Sequence, residues 1–304
     1  LQYAIGIDIG GTKTAIGLVD ANGLVLARTT LPTDSASPSH MVDEIAAATN
    51  KLLADAAIPA AKLQGIGLGA PGPLNTKRGI IAEPPNLRDW WGFPVVDAFR
   101  RHYDLPIAFE NDATAAALAE RWIGAAKHAD HFVYVTISTG IGAGIFSHGR
   151  LITGSTGNAG DIGHIVIDPA AGLCPCGQRG CFEYIASGTA IARMASALVG
   201  RPVTAKEAFE LALSGGNAAV EELVRRAFRY IGIGCVTLIN TFDPEMIVIG
   251  GGVSQVGAPL FDAVIGYVEQ NALNPSGRKT AILPAALSQD AGLIGAAALV
   301  HIAY

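Results

Sequence analysis

Alternating apolar and polar positions open the chain. Tyr3–Ile9 carries the period of two expected of a strand and is rich in β-branched residues. Thr14–Val19 and Leu24–Thr30 repeat the pattern, with Gly10-Gly11-Thr12-Lys13 and Asp20-Ala21-Asn22-Gly23 between the runs. The three runs predict an antiparallel meander. A dinucleotide-binding loop would pass from strand to helix with G-x-G-x-x-G spacing; here the glycines are adjacent and a strand follows, which disfavours that fold. Helical spacing then covers Met41–Ala57. Leu63–Leu68 reads as a buried strand ending in Gly69-Ala70-Pro71-Gly72-Pro73, and the prolines at 84 and 85 make the stretch through Trp91 a loop. Ile107–Glu110 is a short strand, and a helix over Ala113–Ile123 starts directly after Asn111-Asp112. The partial positive charge of a helix N-terminus favours an ionised carboxylate at Asp112, whether it caps the helix or does chemistry.

The opening pattern recurs. Phe132–Ile137 is a strand, Ser138-Thr139-Gly140-Ile141-Gly142 a glycine turn leading into another strand, and Ser147-His148-Gly149 a second turn. An internal repeat of this kind predicts two domains of like topology. Backbone N–H groups at two glycine turns form concavities suited to a polyphosphate. Further on, Thr204 and Glu207 have capping-box spacing, and Asn217–Asn240 predicts one or two long helices with Cys235 in the core. Met246–Ile249 is a buried strand that delivers Gly250-Gly251-Gly252, a third site of close backbone approach. Ala291–Ile302 is helical and apolar on most faces, as a helix packed between elements would be.

Length and charge narrow the function. The 304 residues suit two domains, and with half of them hydrophobic and 15% charged a large core is expected. A net charge of −5 provides no footprint for nucleic acid or an anionic membrane, and no apolar run is long enough to span a bilayer. The first strand starts at Tyr3, leaving no room for a signal peptide, and Leu1 in place of Met reads as a trimmed start; the expected compartment is the cytoplasm.

The chemistry is densest between Asp161 and Glu183. Three of the four cysteines (Cys174, Cys176 and Cys181) and one of the seven histidines, His164, fall there with Asp161 and Glu183 at the ends. Three thiolates and an imidazole complete a tetrahedral shell for zinc and leave no position for water, so the metal is expected to be structural.

Together these residues resemble the ROK family of sugar kinases and sugar-responsive repressors, within the actin/hexokinase/Hsp70 superfamily. The resemblance spans essentially the whole chain. It rests on Asp8-Ile9-Gly10-Gly11-Thr12-Lys13 and Ser138-Thr139-Gly140-Ile141-Gly142 as phosphate motifs and on Gly250-Gly251-Gly252 as a nucleotide motif. It rests above all on Cys174–Glu183, which matches Cys-x-Cys-Gly-x-x-Gly-Cys-x-Glu. Asp161-Ile162-Gly163-His164 falls where the family has Glu-x-Gly-His.

The resemblance implies an α/β fold of two ribonuclease-H-like (actin-like) domains flanking an active-site cleft. Their expected limits are residues 1–115 joined by a C-terminal helix at about 290–304, and residues 116–289. It implies ATP-dependent phosphorylation of a hexose, glucose at the 6-hydroxyl first, with Asp112 as general base. Gly72, Asn86, Asn111, Asp112, Asp161, His164 and Glu183 are the implied sugar contacts. Asp8, Gly10, Gly11, Thr12, Lys13, Thr139, Gly140, Gly250, Gly251 and Gly252 are the implied nucleotide contacts, with Mg²⁺ held mainly by ATP near Asp8. N-acetylmannosamine, N-acetylglucosamine and fructose are alternative acceptors, and polyphosphate an alternative donor. A homodimer or homotetramer is expected. The family's repressors carry a DNA-binding segment before the first strand, where here only Leu1 and Gln2 stand, and the expectation is therefore an enzyme.

Overall fold

The computed structural model describes residues 2–85, 87–287 and 290–302. They form two compact units: Leu1–His128 with Gly149–Gly160 and Ala286–Tyr304, and Ala129–His148 with Asp161–Ala285.

The first unit begins with β1 (Tyr3–Ile9), β2 (Lys13–Asp20), β3 (Val25–Pro32) and α1 (Pro38–Asp55). Next come β4 (Leu63–Ala70), the short pair β5 (Leu74–Asn75) and β6 (Ile80–Ile81), α2 (Val95–Arg100), β7 (Ile107–Asn111) and α3 (Asp112–Ile123). The sheet order is β3-β2-β1-β4-β7. β1, β2 and β3 are the antiparallel meander, while β1, β4 and β7 run parallel. β1 is covered on both faces and reads as a nearly continuous apolar run; β3, at the edge, alternates between half-buried and exposed positions. One face of the sheet packs on Met41, Val42 and Ile45 of α1, with Trp90 and Phe99 completing that core.

The second unit is built from β8 (Phe132–Ile137), β9 (Ile141–Ser147), α4 (Phe182–Ala186), α5 (Gly188–Val199) and α6 (Ala205–Leu213); β10 (Arg150–Leu151) falls in the Gly149–Gly160 segment counted with the first unit. The second unit continues with α7 (Ala218–Phe242), β11 (Met246–Gly250), α8 (Ala258–Asn271) and β12 (Ala281–Pro284). The second sheet, in the order β10-β9-β8-β11-β12, repeats the first: antiparallel strands followed by two parallel ones. The predicted duplication is therefore present strand for strand. Thr204 and Glu207 close a full capping box on α6, and the 217–240 pattern is one helix of 25 residues. No helix among the described residues is long and apolar enough to cross a membrane.

α9 (Ala291–His301) closes the first unit by packing on α3, β1 and β4. It lies backbone against backbone on the sheet: a Cβ at Gly67 of β4 would run into the carbonyl of Ala296, and one at Gly6 of β1 into that of Leu293. The unit boundary falls at His128, not near 115 as expected. Two contacts keep α3 whole in the first unit: its packing on α9, and the buried carboxylate of Glu120, which accepts from the N–H groups of Ala125 (2.7 Å), Ala286 (3.2 Å) and Leu287 (2.9 Å). Three donors offset the cost of a fully buried carboxylate.

Candidate active site

In the first unit the predicted residues gather at the carboxyl ends of β1, β4 and β7. The turn Gly10–Thr12 is closed by Gly10 N–H donating to the Lys13 carbonyl at 3.0 Å. It is braced from β3's end, where the Thr33 hydroxyl donates to the Gly10 carbonyl (2.8 Å) and lies 2.9 Å from the Thr14 hydroxyl. Thr12 and Lys13 stay exposed on this braced turn. Asp8, one strand residue from the turn, lies near the start of α3. A Cβ at Gly69, between them, would stand 3.9 Å from both the Asp112 Cα and an oxygen of Asp8. Burial pushes the Asp8 carboxyl up to about 6, against the pull of the Lys13 ammonium. A cation beside it would restore its charge, so Asp8 fits a role next to a divalent ion. α9 presents Gly292 to this carboxylate, where a Cβ would overlap it.

Asp112 is the first residue of α3, and the cap is its neighbour. Asn111 Oδ1 accepts from the N–H groups of Ala113 (2.9 Å) and Thr114 (3.3 Å), which leaves the Asn111 amide donors for other work. Asp112 Oδ1 accepts from Ala113 N–H at 2.7 Å. The position was legible in the sequence, but which of the two residues caps was not. Gly72 begins a cis peptide bond to Pro73. Asn86 lies outside the described residues.

In the second unit the metal stretch and the glycine turn meet. The ligand atoms of His164, Cys174, Cys176 and Cys181 all lie within 4.8 Å of one another. Cys176 Sγ is 3.5 Å from Cys181 Sγ, and His164 Nδ1 is 3.9 Å from Cys174 Sγ. A tetrahedral zinc ion with bonds of about 2.3 Å sets its sulfurs about 3.8 Å apart, so the spacing fits. Burial pushes the Cys181 thiol up to about 12, and a divalent cation is what lets such buried thiols coexist as thiolates. The loop is stitched in place by Gly180, whose carbonyl accepts from Ile167 and Asp168 N–H, and by Tyr230 of α7, whose hydroxyl donates to Asp168 at 2.7 Å.

The family's profile matches residues 4–303. The chain belongs to the ROK family. It is 33% identical to the glucokinase of Thermotoga maritima over 97% of this chain and 96% of that protein. It is 35% identical to an N-acetylmannosamine kinase of Escherichia fergusonii, each covered to 97%. Among solved structures, a ROK glucokinase from Streptomyces griseus in complex with glucose and AMPPNP is 33% identical, covers 98% of both chains and superposes with a TM-score of 0.82.

Within this ROK chain Glu183 has a role that sequence reasoning missed. Its Oε2 accepts from Ile141 N–H at 2.8 Å, and it sits against Gly140 and Gly163, at each of which a Cβ would crowd it. One oxygen of the residue that ends the metal stretch therefore holds the second glycine turn. The repeated glycines in the sequence were the available signal, but only the fold shows that they surround a carboxylate. Asp161 stands beside His164 and Glu183; desolvation raises its carboxyl first, Glu183 adds to the rise, and His164 opposes it. The third glycine site touches the second: Gly251, at φ 84°, lies against the backbone of Ile137, the residue before Ser138. Thr139, Gly140 and Gly250–Gly252 thus belong to one neighbourhood.

Proposed function

We propose that the chain is an ATP-dependent hexose kinase that transfers the γ-phosphoryl group to the 6-hydroxyl of glucose. The observation that carries this reading is the meeting of two acidic residues at Gly69, beside which lie the Asp112 Cα on the first turn of α3 and the Asp8 carboxylate at the end of β1. Phosphoryl transfer asks for one carboxylate to take the proton of the attacking hydroxyl and for another near the metal that accompanies the phosphates. Asp112 is the base. The free amide donors of Asn111 bind a neighbouring sugar hydroxyl, and Gly72, Asn86, Asp161, His164 and Glu183 supply the other acceptor contacts. The glycine turns at 10–12, 138–140 and 250–252 present backbone N–H groups to ATP, with Lys13 adding charge. Mg²⁺, when bound, neutralises the phosphate oxygens, and Asp8 is the residue that would face it.

Zinc is the metal that His164, Cys174, Cys176 and Cys181 would hold, as a scaffold. With Nδ1 of His164 turned toward the cysteines, its Nε2 is left to donate to the sugar. The reading includes a homodimer or homotetramer acting in the cytoplasm.

An N-acetylhexosamine acceptor is the second reading. Asp161, one methylene shorter than the family's Glu, favours it together with the N-acetylmannosamine kinase relative. Measuring ADP release with glucose, mannose, fructose and the two N-acetylhexosamines decides between them. Glucose turned over no faster than an N-acetylhexosamine would sink the first reading. On the preferred sugar, Asp112→Asn should lower kcat by about 10²- to 10⁴-fold.

A further inference from the structure

β5 begins two residues beyond Gly72, and with β6 it makes a pair only two residues long. A ribbon that short does not hold itself in place. One edge of β5 is closed by its partner: Leu74 stands opposite Ile81, and the Pro73 carbonyl accepts from Ala82 N–H at 3.0 Å. The other edge is closed by a residue 84 positions further along the chain. Asn158 Oδ1 accepts from Leu74 N–H, and Asn158 Nδ2 donates to the Leu74 carbonyl, each at 2.8 Å. Two residues on, Thr76 N–H donates to the Thr156 carbonyl at 3.1 Å. Residues 156–158 thus serve β5 as a third strand, with a side-chain amide standing where a backbone amide would pair.

Both sides of this contact are held. The Leu74 side chain is 2% exposed and belongs to the first unit's core with Ile81. On the other side, Asn158 Nδ2 also donates to the Thr156 hydroxyl (3.0 Å), and Ala159 N–H donates to the Thr153 carbonyl (3.2 Å). Gly157, at φ 94°, lies where a Cβ would overlap the Thr76 side chain, so the two loops meet closely. With Nδ2 donating twice, both amide hydrogens of Asn158 are committed to the protein.

What Asn158 holds decides its residue type. A backbone N–H and C=O facing the same way ask for one acceptor and one donor on a single small group, which asparagine offers. Aspartate would keep the bond to the N–H but set an oxygen against the Leu74 carbonyl. Alanine would leave both groups of a buried residue without their partner. Along the chain, Gly72 lies two residues before Leu74, and Asp161 three residues after Asn158. The contact therefore joins the segments that carry two of the acceptor residues. We propose that Asn158 is a positioning residue for the acceptor sugar: through the backbone of Leu74 it fixes the Gly72 loop, without touching the sugar itself. The proposal rests on the hexose-kinase reading.

The test compares Asn158→Asp and Asn158→Ala with wild type, on whichever hexose the ADP-release panel shows to be phosphorylated fastest. KM for that hexose should rise by about 10-fold in each, as for the loss of one or two hydrogen bonds, while KM for ATP stays within about twofold. General damage to the fold would lower the active fraction, and so kcat, without separating the two KM values. Hydrogen exchange reads the contact directly. The Leu74 amide should exchange about 10-fold faster in Asn158→Ala and near the wild-type rate in Asn158→Asp, which keeps the acceptor. Asn158→Ala carries the test if Asn158→Asp fails to fold. A hexose KM within twofold of wild type in Asn158→Ala, both KM values rising together, or unchanged Leu74 exchange in that variant overturns the proposal. Wild type that phosphorylates no sugar of the panel overturns the kinase reading and this proposal with it, and that failure shows before any variant is made.

Discussion

The two halves share one strand order but brace their glycine turns differently. In the first, hydroxyls hold the turn: Thr33 reaches the Gly10 carbonyl, and Thr14 backs it. In the second, a carboxylate does so: Glu183 grips Ile141 N–H from the start of α4, at the end of the metal stretch. A neutral brace from within the sheet depends on nothing beyond its own strands. A carboxylate brace delivered by the loop that carries His164, Cys174, Cys176 and Cys181 ties the second turn to that cluster. Duplicated topology thus does not imply duplicated fragility: the half expected to be sensitive is the one with the His–Cys cluster.

The strongest way to break this contrast is Cys176→Ser or removal of the metal. Structural zinc is worth on the order of 10 kcal/mol in small sites, so the second unit should lose much of its stability and activity should collapse. A metal-free variant with near-normal sugar and ATP affinity would show that the loop does not position His164 and Glu183. Next is Glu110, whose Oε2 has no hydrogen-bond partner. Glu110 has its carboxyl raised from an ordinary value near 4.5 to about 7, so the folded chain holds a proton that the unfolded chain releases between those values. Stability should therefore be fully present below about pH 4.5 and fall as pH rises toward 7, by on the order of 3 kcal/mol. Denaturant titrations from pH 4 to 8 should show that fall in the difference between wild type and Glu110→Gln; a flat difference would contradict it.

A direct comparison of the braces follows. Glu183→Gln should cost about 1.5–3 kcal/mol and Thr33→Val about 0.5–1.5 kcal/mol, read from urea midpoints. Equal losses would erase the distinction. The smallest change is Asp161→Glu, which restores the family's residue. It should shift the ratio of kcat/KM between glucose and N-acetylmannosamine by about 10-fold or less, and an unchanged ratio would remove Asp161 from the acceptor contacts.

What could be read from the sequence was whatever is decided locally. The meander from Tyr3, the turn at Asp20–Gly23, the capping box at Thr204 and the metal shell all rest on residues near one another in the chain. The repeat of strand and glycine turn was also legible, because each copy is local. Two kinds of feature escaped. Short elements such as β12 (Ala281–Pro284) and α2 carry too few residues for a period to show. Long-range pairings leave no pattern at all: Gly292 beside Asp8, Glu120 reaching Leu287, and the empty donor position at Glu110 are set by how distant segments pack.

The close packing of α9 on the first sheet bears on how the chain is made. Gly6 and Gly67 leave a bare backbone groove that only this helix fills, and the entire second unit is synthesised between Asn111 and Ala291. During translation the early strands emerge with one apolar face uncovered and wait for their lid, while the later unit already holds all of its segments. The half that is made first is thus completed last. In that interval its exposed sheet is the part of the nascent chain most open to chaperones and to aggregation.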